Sequence, residues 1–308
     1  MSVTGLLGFG LTVPSLTEAA DYYTAFGLET HDQDRALAMR CAGRDQDQIT
    51  LVEGPRKRIG YVSFSYRPDG LDGLRQRLAA RGIDECEPMP GVPGDGFWFR
   101  DPDGVLVNIR TGQPAEARKE PPTELNVAGR YDRIGVARWD QMWRRRDDAV
   151  QPRRMGHTIL FTPDIEASER FYRDVLGFRL SDRTPGVVTF LHSGPGDHHV
   201  FGFVQSTHSG LHHASFEVAD IDEIALGAQR MADRGYTMSW GLGRHTMGSN
   251  LFHYVRDPWG SWTEYFSDID QITEDWVGRD WDVPPAVWCP MMPPAEFVAN
   301  LEPDPAHA

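Results

Sequence analysis

An α+β protein of four βαβββ modules, paired into two barrel-like domains, is what this sequence predicts, and three observations carry the prediction. The chain repeats itself. FRDPDGVLVNI at 99–109 lines up with VRDPWGSWTEY at 255–265, YVSFSY at 61–66 with HASFEV at 213–218, and GFGLTVP at 8–14 with HTILFTP at 157–163. Within each half, strand-like alternation gives way to a spaced apolar run that starts at a capping residue and stops at glycine. Each half then closes on an Asp-Pro-x-Gly turn, in the setting of a hairpin. Two modules per half would curl a sheet into a barrel-like shape whose inner face is free for a ligand.

The elements follow in order. The first half, residues 1–111, echoes the second at PSLTEAADYYTAFG and GLDGLRQRLAARG, both helical in pattern, and at the strands YVSFSY and FRDPDGVLVNI. The pattern then breaks at TGQPAEARKEPP, so residues 112–150 read as an exposed linker, and the run Arg144-Arg145-Arg146-Asp147-Asp148 within it as a solvated mixed-charge surface. Residues 151–268 form the second domain. HTILFTP alternates as a strand, Asp164 caps a helix with Phe171, Tyr172, Val175 and Leu176 on its apolar face, and Gly177 stops it. The fourth module repeats the plan with LHHASFEV as strand, Asp220 as cap, IDEIALGAQRMADRG as helix, and a hairpin turning at Asp257-Pro258-Trp259-Gly260. Residues 269–308 have no clear period but carry Trp276, Trp281 and Trp288, and such aromatics gain by packing over a neighbouring surface. They read as an ordered tail on the second domain, with a lid as the alternative.

Bulk properties exclude several classes. With 308 residues, the chain is long enough for two domains, each with its own core. A composition of 40% hydrophobic and 25% charged residues is that of a globular protein, with no apolar run of membrane-spanning length. The start MSVTGLLGFG lacks a basic n-region, so a cytoplasmic location is expected. Cys41, Cys86 and Cys289 lie far apart without CxxC spacing, against both a disulfide framework and a thiolate zinc site. A formal charge of −14 repels nucleic acid. Paired sheets with exposed edges favour a homo-oligomer.

Only the second half carries metal-binding side chains at the repeat positions. Gly8 faces His157, Tyr61 faces His213, and Asn108 faces Glu264. Two imidazoles and one carboxylate on one face leave several positions of an octahedral ion open, the arrangement of non-haem Fe(II) oxygenases. A lone histidine in a strand is more often structural than a ligand, and Glu264 near a turn suits a surface carboxylate. The joint pattern argues otherwise: three equivalent strand positions, no ligand set in the other half, and His198, His199, His212, His245 and His253 nearby in sequence.

The second half resembles the type I extradiol ring-cleavage dioxygenases of the vicinal oxygen chelate superfamily, whose fold is glyoxalase-like. The resemblance covers nearly the whole chain in module order. It is carried by MGHTILFTPDIEASERFYRDVLGF at 155–178, HHVFGF at 198–203, LHHASFEV at 211–218 and GLGRHTMGSNLFHYVRDPWGSWTEY at 241–265. It implies Fe(II), occasionally Mn(II), held at the positions matching His157, His213 and Glu264, with a catecholic substrate and O2. His199 matches the family's catalytic acid/base, with the adjacent His198 as the alternative, and His245 and Tyr254 match residues that hydrogen-bond the bound substrate or oxygen. Phe190 and Ile159 match substrate-pocket walls of the biphenyl-type enzymes, where ordinary core is the competing reading. Where those enzymes continue Asn-Asp-His after GRHT, this chain has Met247, Gly248 and Ser249, and GSNLFHYVRDPWGSWTEYF looks more like the metapyrocatechase and trihydroxytoluene-oxygenase branch.

The chemistry implied is ring opening of a catechol by O2 at the bond beside the two hydroxyls, with His199 taking and returning a proton. One rival is a glyoxalase-type isomerase, whose sites generally use four protein ligands including two carboxylates; no second glutamate sits in frame with Glu264. The other is a metal-free binding protein of the same fold, which would lack the triad.

Overall fold

A computed structural model of the chain describes residues 3–114 and 150–304. The first half runs β1 (Val3–Val13), α1 (Leu16–Phe26), β2 (Glu29–Gln33), β3 (Ala36–Arg40), β4 (Ile49–Glu53), β5 (Arg58–Tyr66), α2 (Leu71–Ala79), β6 (Phe97–Arg100) and β7 (Leu106–Arg110). The second runs β8 (Arg154–Thr162), α3 (Ile165–Phe171) continued by a π-helical turn (Tyr172–Leu176), β9 (Arg179–Thr184), β10 (Val188–His192), β11 (Gly196–Asp197), β12 (Phe201–Gln205), β13 (Gly210–Glu217), α4 (Ile221–Asp233), β14 (Ser239–His245), β15 (Leu251–Arg256) and β16 (Trp262–Ser267). Three short strands follow in the tail: β17 (Gln271–Ile272), β18 (Arg279–Asp280) and β19 (Ala286–Trp288).

The helix ends sit where side-chain chemistry puts them. Asp164 and Asp220 accept hydrogen bonds from the N–H groups of Ala167 and Glu223, and Ser15 does the same for Glu18. Each such cap is worth about 1 kcal/mol. Gly27 and Gly177 close α1 and the π-helical turn in the left-handed region, with φ of 113° and 89°, where a β-carbon would be strained. Asp257 organises the second hairpin turn by accepting from the N–H groups of Trp259 and Ser261, and Asp101 does the same in the first half for Asp103 and Val105.

Strand order displays the duplication. The first sheet reads β2-β3-β4-β1-β5-β7-β6, and the second reads β9-β10-β12-β8-β13-β16-β15, extended by β14, β19 and, at its other edge, β18. Even the register is kept: Gly8 pairs with Ser63 and Ser63 with Asn108, while His157 pairs with Ser215 and Ser215 with Glu264.

Two expectations need correction. Both sheets are open, with separate edge strands, and neither closes into a barrel. The second module is βαββ among the described residues, because the stretch matching β14 forms no strand. That stretch contains Pro88, Pro90 and Pro93, which cannot donate to a ladder, and one remnant bond survives from the Cys86 N–H to the Trp98 carbonyl. The Arg144–Asp148 run lies outside the described residues.

The halves share one hydrophobic cluster instead of burying two separate cores. Phe26 of α1 stacks on Tyr265 of β16 at 3.8 Å between ring centroids, and Phe64 meets Phe201 edge-on at 5.0 Å. Buried tyrosines satisfy their hydroxyls across the same boundary: Tyr22 donates to the Val255 carbonyl, Tyr265 to the Phe26 carbonyl, and Tyr172 to Asp101. Among the described residues, no helix is long and apolar enough to cross a membrane.

Candidate metal centre

Alternation along neighbouring strands brings the three predicted ligands together. His157 on β8, His213 on β13 and Glu264 on β16 point to one face, because residues two apart on a strand share a side. One ligand atom from each lies within 4.8 Å of the others, the one such cluster of three or more His, Cys, Asp or Glu among the described residues. Glu264 Oε2 is 3.1 Å from His157 Nε2 and 3.7 Å from His213 Nε2, and all three side chains are buried.

The cluster fits a divalent cation. His213 Nε2 is buried beside a carboxylate with no hydrogen-bond partner among the described residues, a costly arrangement unless something binds there. Burial would raise the Glu264 carboxyl, but the His157, His245 and His213 imidazoles outweigh it and hold the group well below the usual carboxylate range. Burial, followed by the neighbouring His212, pushes the His213 imidazole down, so it presents a lone pair. Its Nδ1 lies 2.6 Å from His212 Nδ1, and the hydrogen shared there leaves Nε2 facing the carboxylate.

A cavity of about 250 Å³ opens over this cluster. His157, His213, His199, His245, Tyr254, Phe190 and Ile159 all line it, so seven of the eight predicted site residues meet there, with Glu264 fully buried beneath. Phe190 lies 4.4 Å from the His199 ring, centroid to centroid, and His199 lies 4.2 Å from His157. Burial, then the histidines around it, pushes the His199 imidazole far down, toward the neutral form. His198 does not line the cavity; its Nε2 turns instead to Asp182, at 2.9 Å. His245 donates from Nδ1 to the Pro285 carbonyl at 2.9 Å, so its Nε2 accepts from the Tyr254 hydroxyl at 2.9 Å. Burial and then Glu264 push the Tyr254 phenol up, which keeps it a donor.

Sequence reasoning missed Ser215, Asn250 and Asp182, and left the place of the tail open between packing on the second domain and a lid. Ser215 donates a short hydrogen bond to Glu264 Oε2 and Asn250 donates to Oε1 at 3.2 Å, so the carboxylate is held from both sides. The identity of Ser215 with Ser63 in the repeat was a usable signal, since Ser63 donates in the same way to Asn108. Asp182 lies on a strand with nothing local to mark it. The tail supplies the outer wall through Val283, Pro285, Pro293, Phe297 and Val298. In the first half Tyr61, Trp98, Met89 and Leu106 pack together at the matching positions, and a β-carbon on Gly8 would meet the Gln48 carbonyl at 2.7 Å.

Comparison with known proteins agrees with this geometry. Residues 154–265 match the model of the Glyoxalase/Bleomycin resistance protein/Dioxygenase superfamily. Metapyrocatechase 2 of Cupriavidus necator is 40% identical over 299 residues, covering 96% of this chain and 91% of that protein. The iron-dependent extradiol dioxygenase of Rhodococcus jostii (strain RHA1) is 34% identical over 224 residues, covering 68% of this chain and 65% of that protein. Among solved structures, the Mn(II)-bound glyoxalase of Novosphingobium aromaticivorans superposes with a TM-score of 0.77 at 23% identity, covering 100% of this chain and 98% of that one. The 2,2',3-trihydroxybiphenyl 1,2-dioxygenase of Sphingomonas wittichii strain RW1 gives 0.71 at 19%, covering 94% and 99%. The fold and the buried His-His-Glu cluster define a protein of the metal-dependent vicinal oxygen chelate class. Within that class, the chain belongs to the type I extradiol ring-cleavage dioxygenases.

Proposed function

We propose that this chain opens the ring of an apolar catechol with O2, next to the two hydroxyls, using Fe(II) held by His157, His213 and Glu264, with Mn(II) as the alternative ion. The observation that carries the reading is the buried, partnerless His213 Nε2 beside Glu264 at the floor of an apolar cavity. When bound there, the metal would lower the pKa of the diol and hold diol and oxygen in adjacent open positions. The protein does the rest. His199, neutral and facing the cavity, takes a proton from a substrate hydroxyl and later returns one. Tyr254 and His245, hydrogen-bonded to each other, line the cavity beside Glu264, with His245 Nε2 3.5 Å from Glu264 Oε1, and orient the oxygen atoms of the bound reactants. Phe190 and Ile159 wall the ring and exclude water, which strengthens every polar contact inside.

The substrate class follows from the lining. Among the described residues the cavity wall carries no Lys, Arg, Asp or Glu, so no charged side chain there compensates a charged ring substituent. A compact catechol with hydrogen, alkyl or aryl substituents suits it better than a carboxylated one. In this reading residues 151–268 are the catalytic domain, 1–111 its metal-free scaffold, 112–150 the linker and 269–308 the tail that walls the site. The open sheet edge at β2 suits self-association, which sedimentation would measure.

The test is oxygen uptake by Fe(II)-loaded protein offered catechol, 3-methylcatechol, 4-methylcatechol and 3,4-dihydroxybenzoate, with spectra followed for a yellow ring-opened product. Uptake matched mole for mole by yellow product, with the benzoate poorest, is expected. No uptake with any diol by iron-loaded protein would overturn the reading.

A further inference from the structure

The histidine preceding the proposed acid/base is a fully enclosed titratable side chain beside the cavity that the reaction leaves unused. His198 is fully buried, and both its ring nitrogens are engaged. Nδ1 lies 3.0 Å from His199 Nδ1, and Nε2 lies 2.9 Å from Asp182 Oδ2. The other carboxylate oxygen, Asp182 Oδ1, accepts the Arg279 N–H at 2.8 Å. Trp276 stands edge-on to the His198 ring at 5.5 Å and donates from its indole to the Ser181 carbonyl at 2.8 Å. The His198 N–H donates to the Asp270 carbonyl, and the Asp270 N–H donates in turn to the Gly248 carbonyl. A carboxylate, an imidazole and a second imidazole therefore stand in line, clamped by the tail and ending at the cavity.

The line fixes where the protons sit. Burial alone would raise the Asp182 carboxyl, but hydrogen bonds from His198 and the Arg279 N–H hold it below the usual range, so it is ionised and can only accept. His198 must then carry its hydrogen on Nε2. With one hydrogen on each ring, His198 Nδ1 is an acceptor, and the hydrogen between the rings belongs to His199 Nδ1. His199 Nε2, which has no hydrogen-bond partner among the described residues, is left as a bare lone pair at the cavity.

We infer that Asp182 and His198 are positioning residues that hold His199 in its Nδ1–H tautomer and aim its Nε2 at the substrate. The inference rests on the reading of His199 as acid/base. When Nε2 takes the substrate proton, the charge on His199 spreads through the Nδ1–H to His198, whose far side faces the Asp182 carboxylate. The proton leaves again from Nε2, and Asp182 stays ionised throughout. The logic is that of other carboxylate–imidazole pairs, in which the carboxylate sets tautomer and orientation.

The test compares His198→Leu, His198→Asn, Asp182→Asn and His199→Gln in Fe(II)-loaded protein, with metal content, kcat and KM measured for each. The imidazole 15N shifts of His199 are recorded in metal-free protein. The His198→Leu change removes the acceptor, so kcat should fall about 10- to 100-fold with KM and iron content unchanged, and the 15N shifts should move toward a mixture of tautomers. His198→Asn, whose amide oxygen can accept from His199 Nδ1, should recover most of the loss. Asp182→Asn, which keeps shape but loses charge, should fall between the two and serves if His198→Leu fails to fold. Unchanged kcat and an unchanged tautomer in His198→Leu, or in Asp182→Asn if the former does not fold, would overturn the inference while a slow His199→Gln kept the acid/base reading intact. A fast His199→Gln would instead remove His199 from the reaction, and the inferred role with it.

Discussion

Burial favours the neutral form of every titratable group in the cavity, and the neighbours of each group decide whether it stays neutral. Glu264, hydrogen-bonded to His157 and His245, stays ionised, while His199, among largely the same imidazoles, is driven toward neutrality, so the proposed ligand and the proposed base coexist in one site. Different losses should follow. His199→Phe should lower kcat about 100- to 10,000-fold, the usual worth of general acid–base help, with the metal retained. Glu264→Gln should lose the metal itself, because the charge that the histidines surround is gone; elemental analysis after dialysis separates the two outcomes. Acid should act on the fold through a different histidine. His253, nearly buried, is pushed down to about 4 by burial, so between pH 6.5 and 4 the unfolded chain binds a proton that the folded chain does not. Stability from this group is then present above pH 6.5 and is lost as pH falls toward 4, at up to about 1.4 kcal/mol per pH unit. Urea unfolding of metal-free protein at pH 7 and pH 5 should show that fall, and His253→Gln should lessen it without abolishing it, because burial pushes His192 and His212 down to about 4 as well; an equal slope in the variant would assign the acid sensitivity to those two.

Elements with their own local signals were legible in the sequence, and those defined only by what they touch were not. The caps at Asp164 and Asp220 and the stop at Gly177 are each written within a few residues, and the structure places them as read. The clustering of His157, His213 and Glu264 was legible because alternation on a strand is fixed by covalent geometry, so the repeat alignment carried over in register. The missing strand of the second module was also written locally, in three prolines that the repeat analogy overrode. The tail had no period to read, because it is held by contacts with distant residues. Glu302, buried within it, pairs with Lys57 at 2.7 Å and accepts the N–H groups of Ile59 and Leu211, fastening the segment that places Phe297 over the cavity. Removing one member of a buried pair typically costs about 3–5 kcal/mol, since the other charge is left alone. Lys57→Met should cost about 3 kcal/mol by urea unfolding, because two backbone donors remain on Glu302, and should raise KM more than it lowers kcat. The double variant Lys57→Met, Glu302→Gln should lose less than the sum of the single losses; strict additivity would argue that the two charges are independent.

At the scale of the whole molecule, two copies of one sheet plan have been put to different uses, and packing shows why the division is not easily reversed. Gly8, Ser63 and Asn108 occupy the register positions of His157, Ser215 and Glu264, and the serine-to-amide hydrogen bond of the first half mirrors the serine-to-carboxylate bond of the second. The scaffold half has nevertheless filled its site. Tyr61 stands where His213 would, its hydroxyl bonded to Thr50 at 3.0 Å and its ring edge-on to Trp98 at 5.0 Å, and the Gln48 carbonyl occupies the room a side chain at position 8 would need. Because helices of each half pack into a core common to both, the filled half still contributes stability to the half that carries the His-His-Glu cluster. Two results should follow from this asymmetry. Metal titration of the metal-free protein should saturate at one ion per chain, and His157→Ala should abolish binding instead of halving it. The triple change Gly8→His, Tyr61→His, Asn108→Glu should not create a second site. It should destabilise the protein, since the position 8 side chain has no space and an imidazole at position 61 leaves part of the Tyr61 ring's volume empty and the Thr50 hydrogen bond unmade. A stoichiometry of two in that variant, with wild-type stability, would mean that the first half is an unused copy of the site and not a committed scaffold.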